Sequence, residues 1–128
     1  MKKNEILNAL YKDNSLTKED VWKDNRGFTI IKRSGIEQIQ WNNNIEVIFD
    51  VISYEVGNII IRAKSFQDGI KKCETFGTGS KENCFIKFPV EVAEKRALAR
   101  VIIKTMGLTN TLGEDEVDYQ KQNKTSLL

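Results

Sequence analysis

The sequence predicts an α+β fold, an antiparallel β meander of three to four strands packed on one long C-terminal helix. This β-β-β-α core is preceded by short N-terminal helices. Three observations predict it. "IEVIFDVISY" (Ile45 to Tyr54) alternates so that Ile45, Val47, Phe49 and Val51 share one face, as a half-buried strand requires. Asp68-Gly69 is the strongest hairpin signal in the chain and joins two further strand-like runs. "VEVAEKRALARVIIKTMGL" (Val90 to Leu108) has helical periodicity, with Val90, Ala97, Leu98, Val101, Ile102 and Met106 as the expected core side.

At the N-terminus, Lys3 to Tyr11 reads as a short amphipathic helix with Ile6, Leu7, Leu10 and Tyr11 on one side. Ser15 or Thr17 is positioned to cap a second helix through "TKEDVWKD", anchored by Val21 and Trp22. "GFTIIKRSGIEQIQW" starts as a strand and breaks at Ser34-Gly35 into a helical turn, with Phe28 to Lys32 a candidate fourth strand of the meander. In "NIIIRAKSF" (Asn58 to Phe66), Ile59, Ile61 and Ala63 share one face, and Ile60, Arg62, Lys64 and Phe66 the other. The third strand, "IKKCETFGT", gives way to an expected loop, "GTGSKENCFIKF". The chain's single proline, Pro89, suits the first turn of the long helix, and Gly107 suits its C-terminal cap. The expected division is one α+β domain over residues 1–108 and an acidic, polar tail over 109–128.

With 128 residues the chain supports one core. Its formal charge of +2 is unevenly spread: cations concentrate between Lys32 and Lys104, whereas "GEDEVD" (Gly113 to Asp118) carries four carboxylates. That asymmetry suits a body facing a polyanion. The charged start has no signal-peptide core, and no apolar run reaches membrane-spanning length, so no membrane is expected. Two cysteines without CxxC spacing predict a reduced, intracellular protein. The absence of histidine removes Ser-His and Cys-His catalysis and most zinc sites. "FGTGSK" lacks the Walker pattern, and the scattered carboxylates do not compose a nuclease site, so neither an enzyme nor a cofactor or metal is expected.

The basic residues carry the functional reading. Arg96, Arg100 and Lys104 follow at four-residue spacing, within an arc of about 80° on a helical wheel. No acid stands four positions before Arg100 or Lys104 to neutralise them, while Glu91 is placed to pair with Lys95. The stripe is therefore either a solvated face or a clamp for phosphates. Arg62 and Lys64 project from one strand face with Phe66, and Lys72 joins them from the neighbouring strand. Cations interleaved with an aromatic suit a single-stranded nucleic acid.

"AEKRALARVIIKTMGL" followed by "GEDEVD", after "GFTIIKRSGIEQI", a β meander and "ETFGTGSKENC", resembles the small phage-type single-strand annealing proteins related to the eukaryotic annealing mediator of homologous recombination. The resemblance covers roughly Gly27 to Asp118. It implies ATP-independent annealing by a homo-oligomeric ring or filament that holds the DNA backbone and turns the bases outward. It further implies a phage exonuclease as partner and the bacterial host cytoplasm as location. Lys95, Arg96 and Arg100 match the family's basic helix, Lys32 or Arg33 a second basic element, and Lys81 the loop contribution. Ala99 is a departure that turns Arg100 by about 100° from the eukaryotic pattern. Two other classes remain open: an OB-like binder that protects strands without annealing them, and a phage accessory protein that inhibits a host factor through its acidic tail.

Overall fold

A long helix lies across a three-stranded antiparallel sheet because glycine and alanine let the two backbones come close. The computed structural model describes residues 3–55, 57–80 and 88–117. The sheet runs β3 (Glu46–Glu55), β4 (Asn58–Gln67) and β5 (Ile70–Ser80), with order β3-β4-β5. Asp68 and Gly69 both take positive φ (53° and 76°) at the β4–β5 hairpin, as an Asp-Gly turn requires. On the inner face Ile59, Ile61, Ala63 and Ser65 are all buried. Helix α3 (Pro89–Thr105) packs there, with Pro89 at its start and Gly107 (φ 70°) just past its end. Its core residues include Ala93, Ala97, Val101 and Ile102, whereas Val90 is largely exposed.

Gly77 and Gly79 set the separation between α3 and β5. A Cβ on Gly77 would collide with the backbone of Ala93 and Ala97, and one on Gly79 with the carbonyl of Pro89. These glycines are strand residues against a helix and not the loop expected from "GTGSK": β5 continues to Ser80. Thr75 Oγ1 donates to the Ala97 carbonyl at 3.0 Å. At the far end Ser65 Oγ meets Thr105 Oγ1 at 2.7 Å and accepts the Cys73 N–H at 3.1 Å. Helix and strand thus run antiparallel, Pro89 beside Gly79 and Thr105 beside the Ser65–Cys73 pair.

A second, smaller sheet departs from expectation. Strand β1 (Val21–Lys23) pairs antiparallel with β2 (Thr29–Ile31), and β2 pairs in parallel with β6 (Thr111–Gly113). The candidate fourth strand is therefore not in the meander. The expected helix through "TKEDVWKD" is also replaced: Asp20 Oδ2 accepts the Thr17 N–H at 2.8 Å and closes a turn, and the chain then runs as β1 to a second turn at Gly27 (φ 87°). Too few residues separate these turns for a helix. The N-terminal helix is present as α1 (Lys3–Asn8), continued by a wider π-helical turn, Ala9–Asp13. Helix α2 (Arg33–Asn42) follows β2 and buries Ile36 and Ile39.

The tail boundary at residue 109 moves. Residues 111–113 are strand, Glu114–Glu116 form a 3₁₀ turn, and Val117 is buried. Leu112 pairs with Ile30 in the parallel ladder, and Gly113 sits against Ala99 of α3. Among the described residues, no helix is long and apolar enough to cross a membrane.

Candidate nucleic-acid interface

Three arginines, one from α2 and two from α3, converge on the Glu114–Glu116 turn. Arg33, at the start of α2, donates Nε and Nη2 to the two carboxylate oxygens of Asp115 at 3.1 and 2.9 Å. Such a two-pronged pair is geometrically demanding and strong. The Asp115 carboxylate holds the Arg33 guanidinium even more firmly protonated than usual. The Arg33 backbone N–H donates to Glu114 Oε1 at 2.9 Å, so an acid from the far end of the chain caps α2. Arg96 donates Nε to the Asp115 carbonyl at 2.7 Å and Nη1 to the Thr78 carbonyl of β5 at 2.9 Å. Arg100 ion-pairs through Nε with Glu116 Oε1 at 2.9 Å.

The stripe on α3 therefore has acids after all, supplied from beyond the helix. Arg96 fastens the turn to the edge of the sheet by two protein carbonyls. Arg100 keeps about half of its side chain in solvent (53% exposed), while Glu116 beneath it is almost enclosed. Burial raises the Glu116 carboxyl above its ordinary 4.5, opposed by the Gly113 N–H and by Arg100. An acid with a raised folded pKa binds protons more readily in the folded state, so its contribution is fully present at low pH and declines as pH rises through the window just above 4.5. Glu116→Gln should flatten that decline in a stability-versus-pH series from urea melts. An unchanged slope would exclude Glu116 as its source.

The remaining cations fall into two groups. Lys72 and Lys104 lie at the same end of the helix–sheet layer, each one residue before a member of the Cys73–Ser65–Thr105 linkage, and both are exposed. Neither they nor Lys32 and Lys95 make an ion pair among the described residues; the expected Glu91–Lys95 pair is not formed. Lys32 is exposed at the entry to α2. Arg62 and Lys64 lie on the opposite face of the sheet, away from α3. There Asp50 reaches Arg62 at 3.2 Å and Lys64 at 3.7 Å, and Glu74 reaches Arg62 at 3.3 Å. Phe76, the cross-strand partner of Arg62, is half exposed beside them. Lys81 lies outside the described residues.

No family model, curated protein or solved structure matches this chain. Among the described residues no group of acids or cysteines is arranged to hold a metal ion.

Sequence reasoning missed Asp115 and Glu116 as partners of the stripe. The only signal available was the acidic run itself, whose distance from Arg33 hid the pairing. Phe76 was also missed, because its exposure depends on which face of β5 the helix covers.

Proposed function

We propose that this protein binds single-stranded DNA and anneals complementary strands without ATP, acting as a homo-oligomer. The observation that carries this reading is the run from Arg100 to the exposed Lys104 on α3, with Lys72 exposed at the same end of the helix–sheet layer; neither lysine makes an ion pair among the described residues. Cations in line neutralise a phosphate backbone and lower the repulsion between strands, while bases that contact no protein stay available for pairing. Lys32 extends the positive surface near the start of α2. Arg33 and Arg96 take a supporting role, because they hold the acidic turn that positions Arg100. The reading assigns no catalytic step. It carries with it the bacterial host cytoplasm as location and a phage exonuclease as supplier of single strands.

With about three phosphates held per subunit, log affinity for single-stranded DNA should fall with log salt by about 2. The test is annealing of two labelled complementary strands. Lys72→Ala/Lys104→Ala should reduce that salt slope to about 0.7 and slow annealing, with the fold intact by circular dichroism. A double variant that anneals as fast as the wild type would sink the assignment.

One observation favours a second reading. Phe76, half exposed beside its cross-strand neighbour Arg62, offers a ring on the open sheet face on which a base can stack. Bases held that way are withheld from pairing, so a protein using this face slows annealing, and Phe76→Ala relieves the block. The host-factor reading is the least supported, since the Asp115 and Glu116 carboxylates face inward and offer no acidic surface there.

A further inference from the structure

The Glu116 carboxylate is enclosed and yet in touch with the surface. Its side chain is 5% exposed, Oε2 accepts the Gly113 N–H at 2.9 Å, and Oε1 stands 2.9 Å from Arg100 Nε. Arg100 is largely open to solvent, and its two terminal nitrogens make no bond among the described residues. One guanidinium thus has a buried acid behind it and water in front.

The groups around Glu116 leave it dependent on that guanidinium. From α3 it faces Arg100 and, more weakly, Arg96, whose Nε and Nη1 are given to the Asp115 and Thr78 carbonyls. From α2, Arg33 is taken up by Asp115. β6 carries no titratable side chain, and β5 none between Thr75 and Ser80. On its own turn Glu114 caps α2, and Asp115 is tied to Arg33. Burial holds the Glu116 carboxyl above its usual range even with Arg100 beside it, so it is already inclined to take a proton. The chain has no histidine, so no side chain that ordinarily titrates near neutrality masks the effect.

We propose that Glu116 couples DNA binding to proton uptake: a phosphate gripped by Arg100 and a proton on Glu116 favour each other. The physical cause is competition for one positive charge. A phosphate on the open side of Arg100 sets a second anion near the enclosed carboxylate, and each weakens the hold of the guanidinium on the other. A proton from solvent on Glu116 removes one of the two anions and frees the whole guanidinium charge for the phosphate. Coupling between two binding events is reciprocal. The complex therefore binds more protons than the free protein, and affinity for DNA rises as pH falls through the range just above 4.5. This coupling rests on the single-stranded DNA reading of Arg100 and adds control by pH to it.

Binding of a labelled oligo(dT), whose bases do not titrate in the range, tests it by fluorescence anisotropy between about pH 7.5 and about pH 5. The dissociation constant of the wild type should fall by about fivefold over that range, the low end for two coupled sites. Glu116→Gln should bind at the upper pH as tightly as the wild type does at the lower, and lose most of the pH dependence. Glu94→Gln, which removes an exposed acid of the same helix, should keep the wild-type profile. Circular dichroism checks that both variants are folded. Titration calorimetry of the wild type in two buffers of different ionisation enthalpy reads the proton uptake directly and needs no variant. Binding without proton uptake at the acid end, or a Glu116→Gln profile parallel to that of the wild type, would overturn the coupling and leave the DNA assignment standing. A wild type that binds no oligo(dT) at any pH overturns the DNA assignment, and the coupling with it.

Discussion

Asp115→Ala should lower the melting temperature by roughly 10 °C, from a loss of about 2–3 kcal/mol. The carboxylate is 6% exposed and receives both prongs of Arg33, whose side chain is about one-third exposed. Removing one member of such a pair leaves the other with an uncompensated charge in a poorly solvated place, which costs more than the pair gained on forming. The exposed part of Arg33 keeps the figure below that of a fully buried pair. The effect should exceed that of Asp50→Ala, because the Asp50 carboxylate is 40% exposed and its partner Arg62 keeps Glu74 as a second counter-ion. Thermal melts of the two variants side by side decide the matter. Equal, small shifts would mean that the acidic turn is not a structural clasp.

Gly77→Ala should be at least as damaging, at about 3 kcal/mol or more. The added methyl meets the Ala93 carbonyl and the Ala97 amide, both backbone and both inside α3, so no side chain can swing away to admit it. Either the helix lifts off β5 along its length or the strand bows outward. The lower conformational entropy of an unfolded alanine returns only about 0.4–1 kcal/mol. Thr78→Ala is the matched control, since Thr78 lies one residue on and faces solvent. Urea melts of the pair measure the difference. A Gly77→Ala protein as stable as the control would show that the helix–sheet separation is not set there.

The parts legible in the sequence are those whose determinants are local. Alternation marked β3, Asp68-Gly69 marked the β4–β5 hairpin, and Pro89 and Gly107 bracketed α3. The second sheet was illegible for a physical reason. Strands of three residues carry almost no periodic signal, and β2 finds its parallel partner β6 near the other end of the chain. The basic stripe shows the same limit. A search four residues back from Arg100 finds no acid, because the acid lies sixteen residues ahead, in a turn that reaches it only after the chain has gone round Gly107. Helical spacing put Arg96 and Arg100 on one side of α3 and said nothing of what would come to rest on them. "TKEDVWKD" misled in the opposite direction: Thr17 was expected to cap a helix, and its contact with Asp20 closes a turn instead.

The parallel pairing of Thr29–Ile31 with Thr111–Gly113 also sets an order of events. A chain emerging from the ribosome can complete the meander and lay α3 on it while residues 111–116 are still to be made. Until they arrive, β2 lacks its second neighbour, Arg33 and Arg100 lack their acids, and Arg96 lacks the Asp115 carbonyl. Closing contacts so distant in sequence are slow to form and leave the unfinished edge open to the wrong partner. A nascent chain stalled or clipped before Thr111 would therefore be most of a fold that cannot close, and quality control would meet it as a substrate before it had met its own function.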